Sequence, residues 1–252
     1  MAEEDKKVYG KLKNDLEKIG LKEAGKYVKL TEDFSEILKR IECTFEALSF
    51  RFALDAMISI SEKFNIDEDN LRNLNWIFLS YSCTEFTNLF HGDTNGFPKL
   101  FEKLLNSSQN NKFPSYLGVS INLENIESLK ADYLIIEKKY VKEIFDIKAG
   151  RDRSFSHVDK NQQIDLPSTA VMIKVVNQLN NVFVGLYSSL GLIAIKNKVY
   201  TLKEKPSKFS NEAVFSKIEF FMQYLLSDHK NKDLITKEVI QNLKNNFPDF
   251  LF

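Results

Sequence analysis

Residues 31–64 read TEDFSEILKRIECTFEALSFRFALDAMISISEKF. Within this stretch Phe34, Leu38, Ile41, Phe45, Leu48, Phe52, Ala56, Ile60 and Phe64 recur at steps of three and four. An α-helix turns once in about 3.6 residues, so these side chains share one face. A strand would alternate every second position, and this stretch does not. Thr31 and Asp33 supply the short oxygen-bearing side chains that favour a helix start.

The same period recurs on the C-terminal side. A second helix is expected over residues 67–90, through Leu71, Leu74, Phe78, Tyr81 and Phe86, and it stops at the turn cluster His91-Gly92-Asp93-Thr94-Asn95-Gly96. A short helix is expected over 97–105, with Pro98 in its first turn, where proline is tolerated. Residues 106–120 read as a polar loop. A long helix then starts at Leu123 or Glu124 and carries Ile126, Leu129, Tyr133, Ile136, Tyr140, Ile144 and Ile147 as its buried stripe up to Gly150. Ser168 or Thr169 begins a further helix that runs to about Ile195. Two more helices are expected over 211–228 and 233–246. The nearest thing to a strand is Val199-Tyr200-Thr201-Leu202, a short extended piece.

These elements predict an all-α protein. Four helices within residues 31–195, joined by modest loops, suggest an antiparallel four-helix bundle. Residues 1–30 form an N-terminal helical arm in this reading, and residues 196–252 a basic linker with C-terminal helices that extend the bundle. The apolar tail from Phe247 to Phe252 is expected to fold back or to dock on a partner.

Thirty-five Lys and Arg balance thirty-five Asp and Glu, so the chain as a whole is not a polybasic nucleic-acid binder. Local surplus is present. Residues 138–160 hold seven basic side chains against four acidic ones, and residues 196–208 hold five lysines against Glu204. Converging beside a site, they would hold backbone phosphate and make activity salt-dependent. Cys43 and Cys83 lie in apolar helical patterns without CxxC spacing, which predicts two buried free thiols in a reducing cytoplasm and no zinc site. The charged start MAEEDKKVYGKLKNDLEK lacks the apolar core of a secretory signal. The most apolar window, Val182–Ile195, is too short to span a bilayer, so a soluble protein is expected. No phosphate-cradling glycine loop, dinucleotide fingerprint or nucleophile elbow is present, and no cofactor or metal is expected.

The stretch that carries chemistry is Arg151-Asp152-Arg153-Ser154-Phe155-Ser156-His157-Val158-Asp159-Lys160. An unperturbed histidine has a pKa of about 6.5, suited to proton transfer near neutrality. Arginine brings a fixed charge on a planar fork of donors that matches a phosphate. On an ideal helix positions 151 and 157 stand about 240° apart, whereas Arg153 and His157 share a face. Either Arg153 partners His157, or the helix ends between 151 and 157 and His157 turns back. The bland alternative is a helix end capped by a surface salt-bridge cluster. His91, in a glycine and asparagine turn, and His229, beside Lys230 at a helix end, read as solvated or capping side chains.

This segment resembles the signature of the HEPN superfamily, an arginine followed after four to six residues by a histidine. It is most similar to the RDKxxAHxD version of the AbiU2-like abortive-infection branch. Here it reads RDRSFSHVD, with Arg153 in place of the lysine and Ser156 in place of the alanine. The resemblance favours Arg151, Asp152 and His157 as the catalytic group, with Arg153, Lys148 and Lys160 holding substrate. It implies a metal-independent endoribonuclease of bacterial antiviral defence or of a toxin–antitoxin pair. It further implies a homodimer in which two motifs face one cleft, RNA as substrate, and an antitoxin or defence-system partner. Some members of the superfamily are not enzymes, so a non-catalytic helical binding or assembly module is the other reading.

Overall fold

A computed structural model describes residues 21–92, 96–109, 123–152, 166–190, 193–196, 199–202 and 209–246. The fold is all-α. Helix α1 spans Leu21–Ile58, α2 Ser61–Phe64, α3 Glu68–Phe90, α4 Phe97–Gln109, α5 Leu123–Lys139, α6 Val141–Gly150 and α7 Thr169–Leu190. Two four-residue strands follow, β1 at Ile193–Lys196 and β2 at Val199–Leu202, and then α8 at Asn211–Leu225 and α9 at Lys232–Asn246.

Four elements differ from the sequence expectation, the simplest being α4, which runs four residues into the expected polar loop, to Gln109. Helix α1 starts at Leu21 and runs through residues 30 and 31, where the reading placed the joint between arm and bundle. It stops at Ile58, and Phe64 instead belongs to the short α2, whose end is closed by Asn65 in a left-handed conformation (φ 52°, ψ 48°). The expected single helix from 123 to 151 breaks at Tyr140, whose φ of −112° and ψ of 24° leave the helical region. The ladder continues across the break. Tyr140 N–H donates to the Ile136 carbonyl at 3.1 Å, and the Tyr140 carbonyl accepts from Ile144 N–H at 2.9 Å. The buried phenol accepts from Gln178 Nε2 at 3.3 Å, which pins the bend in place. Finally, α7 ends at Leu190, and Ile193–Lys196 pairs antiparallel with Val199–Leu202, Ile193 opposite Leu202. Four consecutive residues rich in β-branched types on each side of a two-residue gap suit a hairpin better than a helix end.

The chain divides into two compact units, each assembled from three segments. The first holds residues 1–39, 89–135 and 181–207. Its core is aromatic: Tyr133 lies 5.5 Å from Phe97 and 5.8 Å from Phe101, and Phe34 lies 5.5 Å from Phe183 between ring centroids. Gly185 on α7 lets Leu129 of α5 approach so closely that a Cβ there would sit 2.6 Å from Leu129 Cδ2. Lys103 Nζ pairs with Asp33 Oδ2, and the Asp33 side chain keeps only 9% of its surface. Lys103→Met is expected to cost about 2 kcal/mol, below the range for a fully enclosed pair because Lys103 still reaches water. A fall in the urea midpoint measures it; an unchanged midpoint would mean that Asp33 finds other compensation.

The second unit holds residues 40–88, 136–180 and 208–252. Ile41, Phe45, Leu48 and Phe52 of the α1 stripe are buried here, as are Met172, Val175 and Leu179 of α7. Phe50 stacks on Phe221 at 4.4 Å and meets Phe78 edge-on at 5.5 Å. Ser210 caps α8, its Oγ accepting from Ala213 N–H at 3.1 Å, and α8 packs on α9. Tyr81, which the helical stripe placed inward, is 45% exposed.

Both cysteines are free, with Cys83 buried and Cys43 only partly so. Burial pushes the Cys83 thiol up to about 12, against an opposing pull from the positive charge of Arg51. A raised thiol favours folding fully below the unfolded pKa, and that contribution is lost as pH climbs from about 8.5 toward the folded value. Iodoacetamide is therefore expected to label Cys43 well before Cys83 in the folded protein at mildly alkaline pH. Equal labelling in a peptide map would refute the enclosed thiol.

Candidate functional site

The motif begins where α6 ends. Ile147 and Gly150 are buried, so the last turn is held against the second unit's core. Arg151 keeps helical angles (φ −56°, ψ −51°), and its N–H reaches the carbonyls of both Ile147 and Lys148. The chain continues as a widened turn through Arg151 and Asp152. Gly150 thus marks the end of the regular helix, as its position in the sequence suggests. Lys148 stands in the last turn, where a cation offsets the partial negative charge of the free carbonyls.

The Arg151 guanidinium closes on its neighbour. Nε donates to Asp152 Oδ1 at 2.8 Å, and Nη2 donates to the same oxygen at 2.6 Å. The Arg151 side chain is 22% exposed and the Asp152 side chain 52%. The fork therefore has its orientation set by the adjacent carboxylate at the surface. A phosphate arriving there would share those donors with Asp152 or displace it.

Of the six residues that the sequence nominates, Arg151, Asp152 and Lys148 lie within the described structure, and the first two are brought into direct contact. Arg153, His157 and Lys160 lie outside the described residues, as does the tail 247–252. The lysines of 196–208 are likewise without described side chains. Elsewhere, His229 Nδ1 accepts from Asn231 N–H at 3.1 Å, so that ring nitrogen serves as an acceptor in the turn before α9. Among the described residues no group of three or more His, Cys, Asp or Glu is placed to hold a metal ion. No helix among them is long and apolar enough to cross a membrane.

The structure adds a residue that the pattern passes over. Phe145 is 67% exposed, and Val141, one turn before it, is 63% exposed. Val141, Phe145, Lys148 and Asp152 follow at helical spacing, so an apolar and aromatic surface leads along α6 to the motif. The signal was available in the sequence: Tyr140, Ile144 and Ile147 already occupy the buried stripe, which leaves Phe145 on the other side.

No protein-family profile, curated protein or solved structure matches this chain.

Proposed function

We propose that the protein is a metal-independent endoribonuclease of the HEPN type, acting in the cytoplasm in antiviral defence or as the toxin of a toxin–antitoxin pair. The observation that supports this reading is the end of α6, where an exposed phenylalanine and a lysine lead to an arginine fork oriented by its own neighbouring carboxylate. An exposed aromatic ring beside cations suits single-stranded RNA, whose unstacked bases pack on rings while cations hold the backbone.

In this mechanism the ribose 2′-hydroxyl attacks the adjacent phosphorus. His157 takes the hydroxyl proton. The bond from phosphorus to the 5′ oxygen breaks, and that oxygen leaves with a proton from an acid, the histidine of a second copy. The products are a 2′,3′-cyclic phosphate and a 5′-hydroxyl, so atoms and charge balance without an added reagent. Arg151 would turn from Asp152 to the phosphate and neutralise the charge that builds on its oxygens. Asp152 is then a positioning residue that presents the fork. A homodimer supplies the two histidines, and the exposed Val141 and Phe145 would lie near its seam. Four-helix bundling of residues 31–195 belongs to the same proposal.

The second reading, a non-catalytic binding or assembly module, is favoured by one contact. The double hydrogen bond from Arg151 to Asp152 is also what a purely structural helix end would make. Incubating the purified protein with mixed single-stranded and structured RNA in EDTA decides between them. Cleavage that leaves cyclic phosphate ends supports the nuclease; intact RNA, repeated with total cellular RNA, supports the module.

A further inference from the structure

Three phenylalanines of the second unit meet ring to ring: Phe50 of α1, Phe78 of α3 and Phe221 of α8. The planes of Phe50 and Phe221 are 12° apart, and Phe78 stands edge-on to Phe221 with centroids 5.7 Å apart. All three rings are only half-buried, so the triad reaches the surface. Residues beside it on α3 and α8 therefore adjoin one shared floor. On α8, Tyr224 stands one turn beyond Phe221, and Phe220 shares a face with Tyr224. Phe220 is 75% exposed and Tyr224 77%. On α3, Tyr81 stands one turn beyond Phe78, and Ile77 shares a face with Tyr81. Ile77 is 59% exposed and Tyr81 45%. The buried stripes leave them there, since Val214, Ile218 and Met222 take the inner face of α8, and Leu79, Cys83 and Phe86 that of α3. A single exposed apolar side chain is ordinary, but four beside a floor of three rings mark a contact surface.

The size, charge and shape of this surface point to its occupant. At roughly 200 Å² for a whole aromatic side chain, the four outward residues present about 500 Å² of apolar area. A stable protein pair covers about 800 Å² on each partner, and a homodimer interface is about 65% apolar. The four side chains supply that apolar share, and the rim supplies the rest. The rim charges are paired among themselves. Lys217 Nζ lies 3.0 Å from Glu46 Oε1, and Arg40 Nη1 lies 3.6 Å from Glu85 Oε2. Glu42 stands near both Lys217 and Glu46. These residues hold no basic surplus, which a nucleic acid or an anionic membrane would need. The surface carries both projecting rings, Phe220 and Tyr224, and a recessed triad. One copy's projecting rings therefore have a seat on another copy's triad while the reverse contact forms, the condition for a two-fold interface.

We propose that the face built by α1, α3 and α8 is a two-fold self-association surface on which a second copy of this chain seats. Phe220 and Tyr224 of each copy cover Phe50, Phe78 and Phe221 of the other. The contact uses no residue of α6 or of the 151–160 stretch, so it stands independently of the cleavage reading and is separate from the seam that would pair two motifs. Copies joined through both contacts form a closed tetramer or an open chain.

The test is sedimentation of the full chain over a wide range of concentration, beside Phe220→Glu, Tyr224→Glu and Phe220→Leu. Both positions are exposed, so the variants leave the core intact, and thermal melting checks that each folds. Wild type is expected to exceed the 29.2 kDa of one chain. Each glutamate variant should associate at least tenfold more weakly, the effect of losing an aromatic anchor, while Phe220→Leu stays near wild type because it keeps an apolar projection. Phe145→Glu separates this contact from a seam at the motif. That variant is expected to associate still, and to become a single chain once Phe220→Glu is added. Failure of the nuclease reading would change the wild-type mass but not this pair of results. Wild type that keeps the mass of one chain overturns the proposal and leaves the face to a different partner. Association that both glutamate variants leave unchanged overturns it as well.

Discussion

Arg151→Ala is expected to lower metal-free RNA cleavage by about 10²–10³-fold, the usual effect of removing one preorganised charge donor from a transition state. The geometry explains why a full-length cation is needed. The fork of Arg151 is held at the end of α6 by two hydrogen bonds to Asp152 Oδ1, so the cation stands at the motif before substrate arrives and has to turn from Asp152 to meet the phosphate. Arg151→Lys keeps the charge but loses the planar fork, and should recover only part of the activity. Asp152→Asn should cost less than Arg151→Ala, because an amide oxygen still accepts from the guanidinium while holding it more weakly. His157→Ala removes the proton acceptor of the proposed mechanism and should reduce the rate by about 10²–10⁴-fold. Its companion readout is the pH profile, in which the limb set by the histidine should vanish. The assay is cleavage of mixed RNA in EDTA, with end analysis. Wild-type rates in Arg151→Ala and His157→Ala together would remove the motif from the active site.

Phe45→Ala is expected to destabilise the protein by about 3–5 kcal/mol, the range for truncating an enclosed aromatic side chain. Phe45 is 1% exposed, and its ring stacks on Phe209 with centroids 3.7 Å apart and planes 12° from parallel. Truncation would open a void beneath the segment that leads into α8. Phe209→Leu should cost less, because Phe209 is only half-buried and the loss is mainly the ring pairing, about 0.5–1.5 kcal/mol. The measurement is the urea midpoint at constant slope. A loss under about 1 kcal/mol for Phe45→Ala would mean that the surrounding side chains close over the gap.

Much of the fold was legible because it rests on period. Phe34, Ile41, Phe45, Leu48 and Phe52 are spaced for one helical face, and all are buried. Met172, Val175, Leu179, Val182 and Leu186 repeat the case on α7. Period says less about where a helix bends or yields. Nothing around Tyr140 breaks the stripe, yet the backbone leaves the helical region there, held by a hydrogen bond from Gln178, distant in sequence. Likewise Ile193–Lys196 continues an apolar run that reads as helix, while its partner in the hairpin lies beyond it in the chain. Of the candidate site, the identity of Arg151 and its place at a helix end were visible in the residues themselves. Its closure on Asp152 is a rotamer choice, and the exposure of Phe145 follows from which face of α6 the core takes.

By itself, then, the sequence determined the helical class, the buried stripes and the residue types available for phosphate chemistry, since these depend on local spacing and side-chain identity. The tertiary structure alone decided what meets what. It set Asn75 between Arg51 and Asp55, hydrogen-bonded to both, and turned Phe145 outward. The physical reason is that such contacts join residues far apart in the chain, and their geometry follows from how the helices pack rather than from any local preference of the backbone.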